Sequence, residues 1–172
     1  LDGVSSRVLY ETDENVNVIA MFEDSVFFTA QEPRKDWRLG VVSLDGGPPR
    51  FTAKKKGRTP AMLVAQHDVF YYDGPSSTVR RVSPDLERER VVVQNVVCSP
   101  MAVAEHLYCA QPGGVREIGL DGVVRRVFPL KGGGLSTALA ASTTRLSWVI
   151  DNGPDQLAVD TITLDPRSQE HP

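Results

Sequence analysis

The sequence predicts an all-β protein built from four copies of one repeat, and three observations support this prediction. First, short runs rich in Val, Phe, Tyr and Thr alternate with turns rich in Gly, Pro, Asp and Ser. Second, the 14 Gly and 12 Pro are spread along all 172 residues, as many short strands require. Third, no run of about ten residues has the spacing of an amphipathic helix. The nearest candidate, 84–92, continues into a run of valines that favours strand.

Two landmarks recur along the chain. An apolar segment opens the second strand of each copy, at Val26, Val69, Leu107 and Leu146. These residues lie 43, 38 and 39 residues apart. A turn that contains Asp closes the third strand of each copy. The residues directly before this Asp are Leu44, Pro84, Leu120 and Leu164. Because both landmarks keep a period of about 40 residues, the repetition does not depend on either one alone.

Each period has room for four short strands, and four antiparallel strands in about 40 residues are typical of a propeller blade. We therefore predict a β-propeller-like array of four four-stranded antiparallel blades within one domain, 1–166. Small apolar residues fill the first strand of each copy, as a crowded inner ring requires, and charges collect in the fourth. The last six residues, 167–172, are expected to be a disordered tail. The predicted blades are 17–57, 60–97, 99–132 and 136–165.

The fourth copy ends after its third strand, and the first residues of the chain supply the strand that it lacks. The turn sequence of 1–3 (LDG) repeats at 120–122, and 6–12 (SRVLYET) has the character of an orphan outer strand. We predict that 1–15 complete the last blade, which would close a ring of four or, in a homodimer, a ring of eight. The alternative is that the chain is part of a larger propeller. The first residue is Leu1 rather than Met, which predicts a processed product or a fragment.

Two copies resemble a known repeat. In the second copy 70–73 (FYYD) precede 79–82 (VRRV), and in the third 107–108 (LY) precede 115–122 (VREIGLDG). This pattern resembles the YWTD-type repeat of lipoprotein-receptor and bacterial cell-envelope propellers, which reads aliphatic-Tyr-Trp-Thr-Asp, a turn, then Ile-x-Arg-x-x-Leu-Asp-Gly. The resemblance implies a scaffold, normally six-bladed, that binds other proteins or glycans on one face. It does not imply a reaction.

Cys98 and Cys109 are the only cysteines, and they flank the inner hairpin of the third copy. If that hairpin turns near Glu105-His106, Cys109 faces residue 101, and Cys98 lies about three residues out of register. A bond then requires the preceding connection to fold back, because bridged Cα atoms lie within about 7 Å. The pair predicts either a disulfide, which implies an oxidising compartment, or two buried free thiols.

The charge pattern argues against two classes of partner. A net charge of −3 gives no reason to expect nucleic acid, and no apolar run approaches the ~18 residues of a membrane-spanning helix. The basic run 54–58 (KKKGR) lacks aromatic residues and is interpreted as an outer strand whose lysines block edge pairing. Arg80-Arg81 and Arg125-Arg126 lie in predicted strands, so at least one of each pair is expected at solvent beside a carboxylate.

No residue lies in a recognisable catalytic or metal-binding pattern. His67 and His106 are assigned to equivalent turn positions in two copies and are interpreted as surface residues. Most Asp residues lie in predicted turns, where Asp bonds its own backbone. There is no Gly-Xaa-Ser-Xaa-Gly, P-loop or dinucleotide-binding pattern. We therefore predict no catalytic residue, no metal and no cofactor, and leave the binding residues unassigned.

These observations predict a non-catalytic propeller module that binds a protein or glycan partner or forms a structural part of a cell-envelope assembly. Two alternatives remain: a polysaccharide lyase or hydrolase with its site at the central channel, and a ligand-sensing ectodomain of a larger receptor. Catalysis needs titratable side chains that converge on one site, and the short turns available for this differ in charge between copies. The expected location is extracytoplasmic: periplasmic, cell-surface or secreted.

Overall fold

A computed structural model describes residues 7–33, 36–57, 59–99, 101–129, 135–151 and 157–164. Over these residues the chain is all β and contains no helix, which confirms the predicted fold class. Its strands form four antiparallel sheets, β1–β4, β5–β8, β9–β12 and β13–β15, each joined in chain order. The strands are β1 Asn15–Phe22, β2 Ser25–Gln31, β3 Trp37–Ser43, β4 Arg50–Phe51, β5 Met62–Ala65, β6 Asp68–Asp73, β7 Thr78–Val82, β8 Glu89–Val93, β9 Met101–Val103, β10 Leu107–Gln111, β11 Gly114–Ile118, β12 Val124–Pro129, β13 Leu135–Ala141, β14 Arg145–Asp151 and β15 Leu157–Thr163.

The sheets are held together by residues that pack across from one blade to the next. In β2, β6 and β10 the residue directly after the landmark is aromatic and almost fully buried. These residues are Phe27, Phe70 and Tyr108. Phe27 packs with β6 residues, Phe70 with β10 residues and Tyr108 with β14 residues. We call this residue the interblade aromatic. Each blade therefore buries one face against the blade that follows it.

The fourth blade breaks this rule. The position of the interblade aromatic is occupied in β14 by Ser147, whose hydroxyl lies 2.9 Å from that of Thr161 on β15. On the same face Val159 is 71% exposed. At this position the fourth blade presents a serine and leaves a valine exposed on the same face, whereas the other three blades present an aromatic ring there.

The array is open. The inner strands contact each other in sequence, β1 with β5, β5 with β9 and β9 with β13. Among the described residues, no strand of the fourth blade contacts a strand of the first. The predicted closure into a ring of four is therefore not made by this part of the chain.

The N-terminal segment does not pair with the last blade over the residues that the structure describes. Residues 7–14 form no strand, and the fourth sheet has three strands. Instead Tyr10 packs against Phe28 and Phe51, with ring centroids 5.5 and 5.9 Å apart, and Leu9 joins the same cluster. The prediction was wrong for these residues, because Leu9 and Tyr10 pack on an aromatic face of the first blade instead. Residues 1–6 lie outside the described residues.

Cys98 and Cys109 are joined by a disulfide, with their Cα atoms 4.4 Å apart. Cys109 faces Met101 across the hairpin, as the sequence predicted. The connection before β9 folds back, and the Val96 amide donates to the Ser77 carbonyl at 3.0 Å, which brings Cys98 into reach. Of the two alternatives, the structure has the disulfide.

Several other predictions lie partly or wholly outside the described residues. They concern the last residues of the domain and the tail at 167–172. The single domain 1–166 with its blade boundaries stays a prediction. No helix among the described residues is long and apolar enough to cross a membrane.

Removing an interblade aromatic should cost far more than removing its polar counterpart. Phe70→Ala deletes a fully buried ring between the second and third blades, and we expect the free energy of unfolding to fall by about 3–5 kcal/mol. Ser147→Ala, at the equivalent position of the fourth blade, should change it by no more than about 0.5 kcal/mol. Urea unfolding followed by tryptophan fluorescence measures both. Equal losses of unfolding free energy would show that Ser147 is packed between two blades in the same way as Phe70.

The disulfide should stabilise the third blade and be visible by mass. The oxidised chain must be two hydrogens lighter than the reduced chain. The Cys98→Ala/Cys109→Ala variant should lose about 2–4 kcal/mol of unfolding free energy, since its unfolded chain is no longer cross-linked. A native mass that reductant does not change would contradict the assignment.

Candidate functional site: an arginine pocket on the second blade

The copies differ in charge along one row of side chains. In the second blade Phe70 of β6 faces Arg81 of β7, which faces Arg90 of β8. In the third blade Tyr108 faces Glu117, which faces Arg126. The equivalent third-strand residues of the outer blades are Val41 and Thr161. Residues directly opposite each other in a ladder share one face of the sheet, so each row lies on the side turned toward the next blade.

In the third blade the charged residues of the row lie beside one another as ion-pair partners. The Glu117 carboxylate is 1% exposed and lies between two nitrogen groups. His106 Nδ1 is 2.9 Å from Oε1, and Arg126 Nε is 3.2 Å from Oε2. His106 contributes a positive charge only when it is protonated. Burial, together with the nearby Glu117 charge, raises the pKa of Tyr108 to about 12. Removing Arg126 would leave the buried Glu117 carboxylate without that cation, so the members of this row depend on one another.

The row of the second blade has the opposite charge in its centre. Arg81 replaces Glu117 and therefore stands directly opposite Arg90. Asp68, which occupies the position of His106, accepts from Arg81 Nε and contacts Arg81 Nη2 through the same oxygen. Like charges directly opposite each other in a sheet are destabilising. Within the described part of the chain, Arg90 makes no ion pair.

This row lines a pocket of about 350 Å³. We call it the arginine pocket, and its lining residues are Asp68, Arg81, Ser83, Arg88, Glu89 and Arg90. Three arginines and two acidic residues contribute to the lining, although the Glu89 carboxylate itself is held on the side of the first blade; Arg88 and Arg90 are exposed. Asp68 is paired with Arg81, and Glu89 is paired with cations outside the pocket. The pocket therefore has an excess of positive charge.

Glu89 is held on the side of the first blade. Its carboxylate accepts from Lys55 Nζ at 2.7 Å, from Arg80 Nη1 at 3.1 Å and from the Tyr71 hydroxyl. Burial alone would raise the pKa of Glu89, but the Lys55 and Tyr71 hydrogen bonds and the Lys55 and Arg80 charges outweigh it and lower this pKa. Burial and the bond to Glu89 raise the pKa of Tyr71. The network joins the first two blades beside the pocket.

The turn between β7 and β8 places Arg88 at the rim. The Ser83 hydroxyl donates to the Asp85 carboxylate and accepts the Arg88 amide at 3.0 Å. The hydrogen bonds that Asp85 accepts from the Ser83 hydroxyl and from the Glu87 amide lower the pKa of Asp85. Ser83 is therefore engaged in shaping the turn, and the carboxylate that its hydroxyl contacts, Asp85, is a weak base because its pKa is lowered.

Both arginine pairs behave as the sequence predicted. Arg80 pairs with Glu89, and Arg81 with Asp68. Arg125 pairs with Asp121 at 2.6 Å, and Arg126 with Glu117. The basic run 54–58 supplies Lys54, which pairs with Glu32, and Lys55, which reaches Glu89. What the sequence did not predict is that Arg81 and Arg90 face each other.

The two turn histidines are not equivalent, contrary to the prediction. His67 is a turn residue with φ of 63°, lies 3.5 Å from Glu23 and is exposed. His106 directly precedes β10 and aligns with Asp68 rather than with His67. The reason is turn length: two residues connect β5 to β6, and three connect β9 to β10. Only His67 is the surface residue that was expected.

No binding residue was assigned from the sequence, although the sequence contains one usable signal. Aligning the copies on their third strands places Arg81 where the others have Val41, Glu117 and Thr161. No group of three or more His, Cys, Asp or Glu residues that could hold a metal ion occurs among the described residues.

No protein-family model and no curated protein matches the chain. Solved structures do match. The chain is 19% identical to a chain of a nidogen/laminin complex, with a TM-score of 0.59, over 74% of this chain and 52% of that one. It is 14% identical to a gluconolactonase from Xanthomonas campestris, with a TM-score of 0.63, over 83% of this chain and 57% of that one. A puromycin-hydrolysing peptidase from Mycobacterium tuberculosis is also 14% identical, with a TM-score of 0.62, over 90% and 30%.

At these identities the likeness establishes a β-propeller fold and nothing finer. The chain spans less than two thirds of each of these three structures. They include a protein complex and two enzymes. The fold therefore does not decide between a binding module and an enzyme, and the function has to be argued from the site.

Glu89 should make the contact between the first two blades sensitive to acid. Because its pKa is lowered by folding, its ionised form stabilises the fold above the unfolded pKa of about 4.3, and this contribution is lost as the pH falls through the folded value. Glu89→Gln should lose about 1–3 kcal/mol at pH 7 and show a smaller further loss at pH 3 than the parent chain. Urea unfolding at both pH values measures this. The exposed Glu87→Gln should keep the parent's pH dependence; a matching change there would refute the assignment.

Proposed function

We propose that the chain is a non-catalytic β-propeller module that binds a protein partner through the surface around the arginine pocket. The observation that carries the proposal is the Arg81–Arg90 apposition, which places two like charges opposite each other at the mouth of a pocket of about 350 Å³. The arrangement is absent from the other blades and leaves Arg90 without an ion pair among the described residues, which is better explained by binding than by folding.

The chemistry of the pocket favours binding over catalysis. Among the described lining residues, the one hydroxyl is that of Ser83, which donates to Asp85. A nucleophile needs an effective adjacent base, and the carboxylate that Ser83 contacts, Asp85, is a weak base because its pKa is lowered. The two lining carboxylates, Asp68 and Glu89, are engaged by cations. The groups at the rim, Arg88 and Arg90, are permanent cations that bind anions but do not exchange protons at neutral pH.

A protein is the partner that the observations favour over a glycan. A similar structure belongs to a protein–protein complex. Arginine is also enriched at the centres of protein interfaces, where its fork of donors serves several acceptors at once. The Cys98–Cys109 disulfide supports an extracytoplasmic site of action, because disulfides persist in oxidising compartments.

A photo-crosslinking residue at position 88 tests this proposal. The Arg88→p-benzoylphenylalanine variant should cross-link to a protein from an extracytoplasmic fraction of the source cells, and the same substitution at Arg125, exposed on the third blade, should not. The captured protein is then purified and titrated against the parent chain, with a saturable complex expected. Hydrolysis of peptide, lactone or polysaccharide substrates by the purified chain would instead favour the enzyme alternative and overturn the proposal.

A further inference from the structure

We infer that the arginine pocket binds a carboxylate group of an acidic segment in the partner protein, with Arg90 and Arg88 as its direct contacts. This inference rests on the proposed function, because it names the chemistry by which the same site recognises its partner. It is carried by the comparison of two repeat-equivalent rows, Asp68–Arg81–Arg90 in the second blade and His106–Glu117–Arg126 in the third.

The third blade shows which group this position of an outer strand accepts. Arg126 stands opposite a carboxylate and lies 3.2 Å from Glu117 Oε2. Arg90 has the same place in its sheet but stands opposite the Arg81 guanidinium. The second blade thus has the arginine of this pair without its carboxylate. An external carboxylate supplies the missing member.

Neither carboxylate of the pocket can take this role in the described structure. Asp68 already engages the Nε and Nη2 edge of Arg81. Glu89 is the chain neighbour of Arg90, and successive side chains of a strand point to opposite faces. Glu89 accordingly faces the first blade, where Lys55, Arg80 and Tyr71 hold it.

The charge balance gives the pocket its selectivity. The whole chain carries a net charge of −3, so it has no general attraction for anions. The excess positive charge is local, at Arg88 and Arg90, both exposed on the outer part of the second blade. Two guanidinium groups offer planar pairs of donors that match the geometry of a carboxylate. An extended acidic peptide can present successive carboxylates to both.

A short acidic probe tests the inference without knowledge of the partner. Binding of a fluorescent hexaglutamate peptide is measured by anisotropy at low salt. Arg90→Gln and Arg88→Gln should each weaken binding about tenfold, as loss of a charge-assisted contact predicts. Arg125→Gln makes the same change of charge on the third blade and should leave the affinity unchanged.

A second variant transplants the row of the third blade into the second blade. Asp68→His/Arg81→Glu reproduces the third-blade arrangement and gives Arg90 a carboxylate of its own chain, so hexaglutamate binding should be lost while the protein stays folded. Undiminished binding by this variant or an equal effect of Arg125→Gln would each overturn the inference. If the double variant unfolds, the Arg90→Gln result decides, since that side chain is exposed.

The two proposals fail separately. A partner captured at position 88 whose affinity is unaffected by Arg90→Gln would support the proposed function and overturn this inference. A chain that binds hexaglutamate as described, yet forms no complex with a captured protein, would overturn the proposed function and leave the carboxylate site in place.

Discussion

Every blade of this protein depends on its neighbour to bury an apolar face, and this constraint organises the rest of the structure. A small sheet cannot cover both of its own faces, so stability comes from interfaces between consecutive repeats. Phe27, Phe70 and Tyr108 fill three such interfaces. On the first blade the N-terminal segment covers Phe28 with Tyr10, and on the fourth blade Ser147 stands where the other blades have an aromatic ring.

The same constraint explains which parts of the fold the sequence predicts. Strands and repeats follow from local alternation and from a period of about 40 residues, both of which can be read directly. The location of Tyr10 cannot be read in this way, because it depends on which apolar surface is left uncovered after the sheets have packed. Cys98 is an intermediate case. Its distance from Cys109 along the hairpin is predictable, but the fold-back that joins them belongs to the preceding connection, where the Val96 amide donates to the Ser77 carbonyl.

The candidate site was harder to predict because it depends on strand register. Arg81 faces Arg90 in the register that begins at the turn 83–88, and the ladder of β7 and β8 shifts only beyond this pair, between Val79 and Arg80. A shift of one residue would turn the outer strand over and place Glu89 opposite Arg81 instead. Sequence alone identified Arg81 as a strand residue beside a carboxylate. It did not identify the second arginine, whose position is a property of the assembled sheet.

One difference between blades defines the proposed carboxylate site: Arg90 lacks the carboxylate that Arg126 has in Glu117. Two-dimensional NMR of the arginine Nε–Hε groups during a titration with sodium acetate tests this directly. We expect a saturable shift of the Arg90 signal that Asp68→His/Arg81→Glu abolishes, and no comparable shift of the Arg126 signal. Equal responses of the two signals, or a response of Arg126 alone, would contradict the proposed carboxylate site.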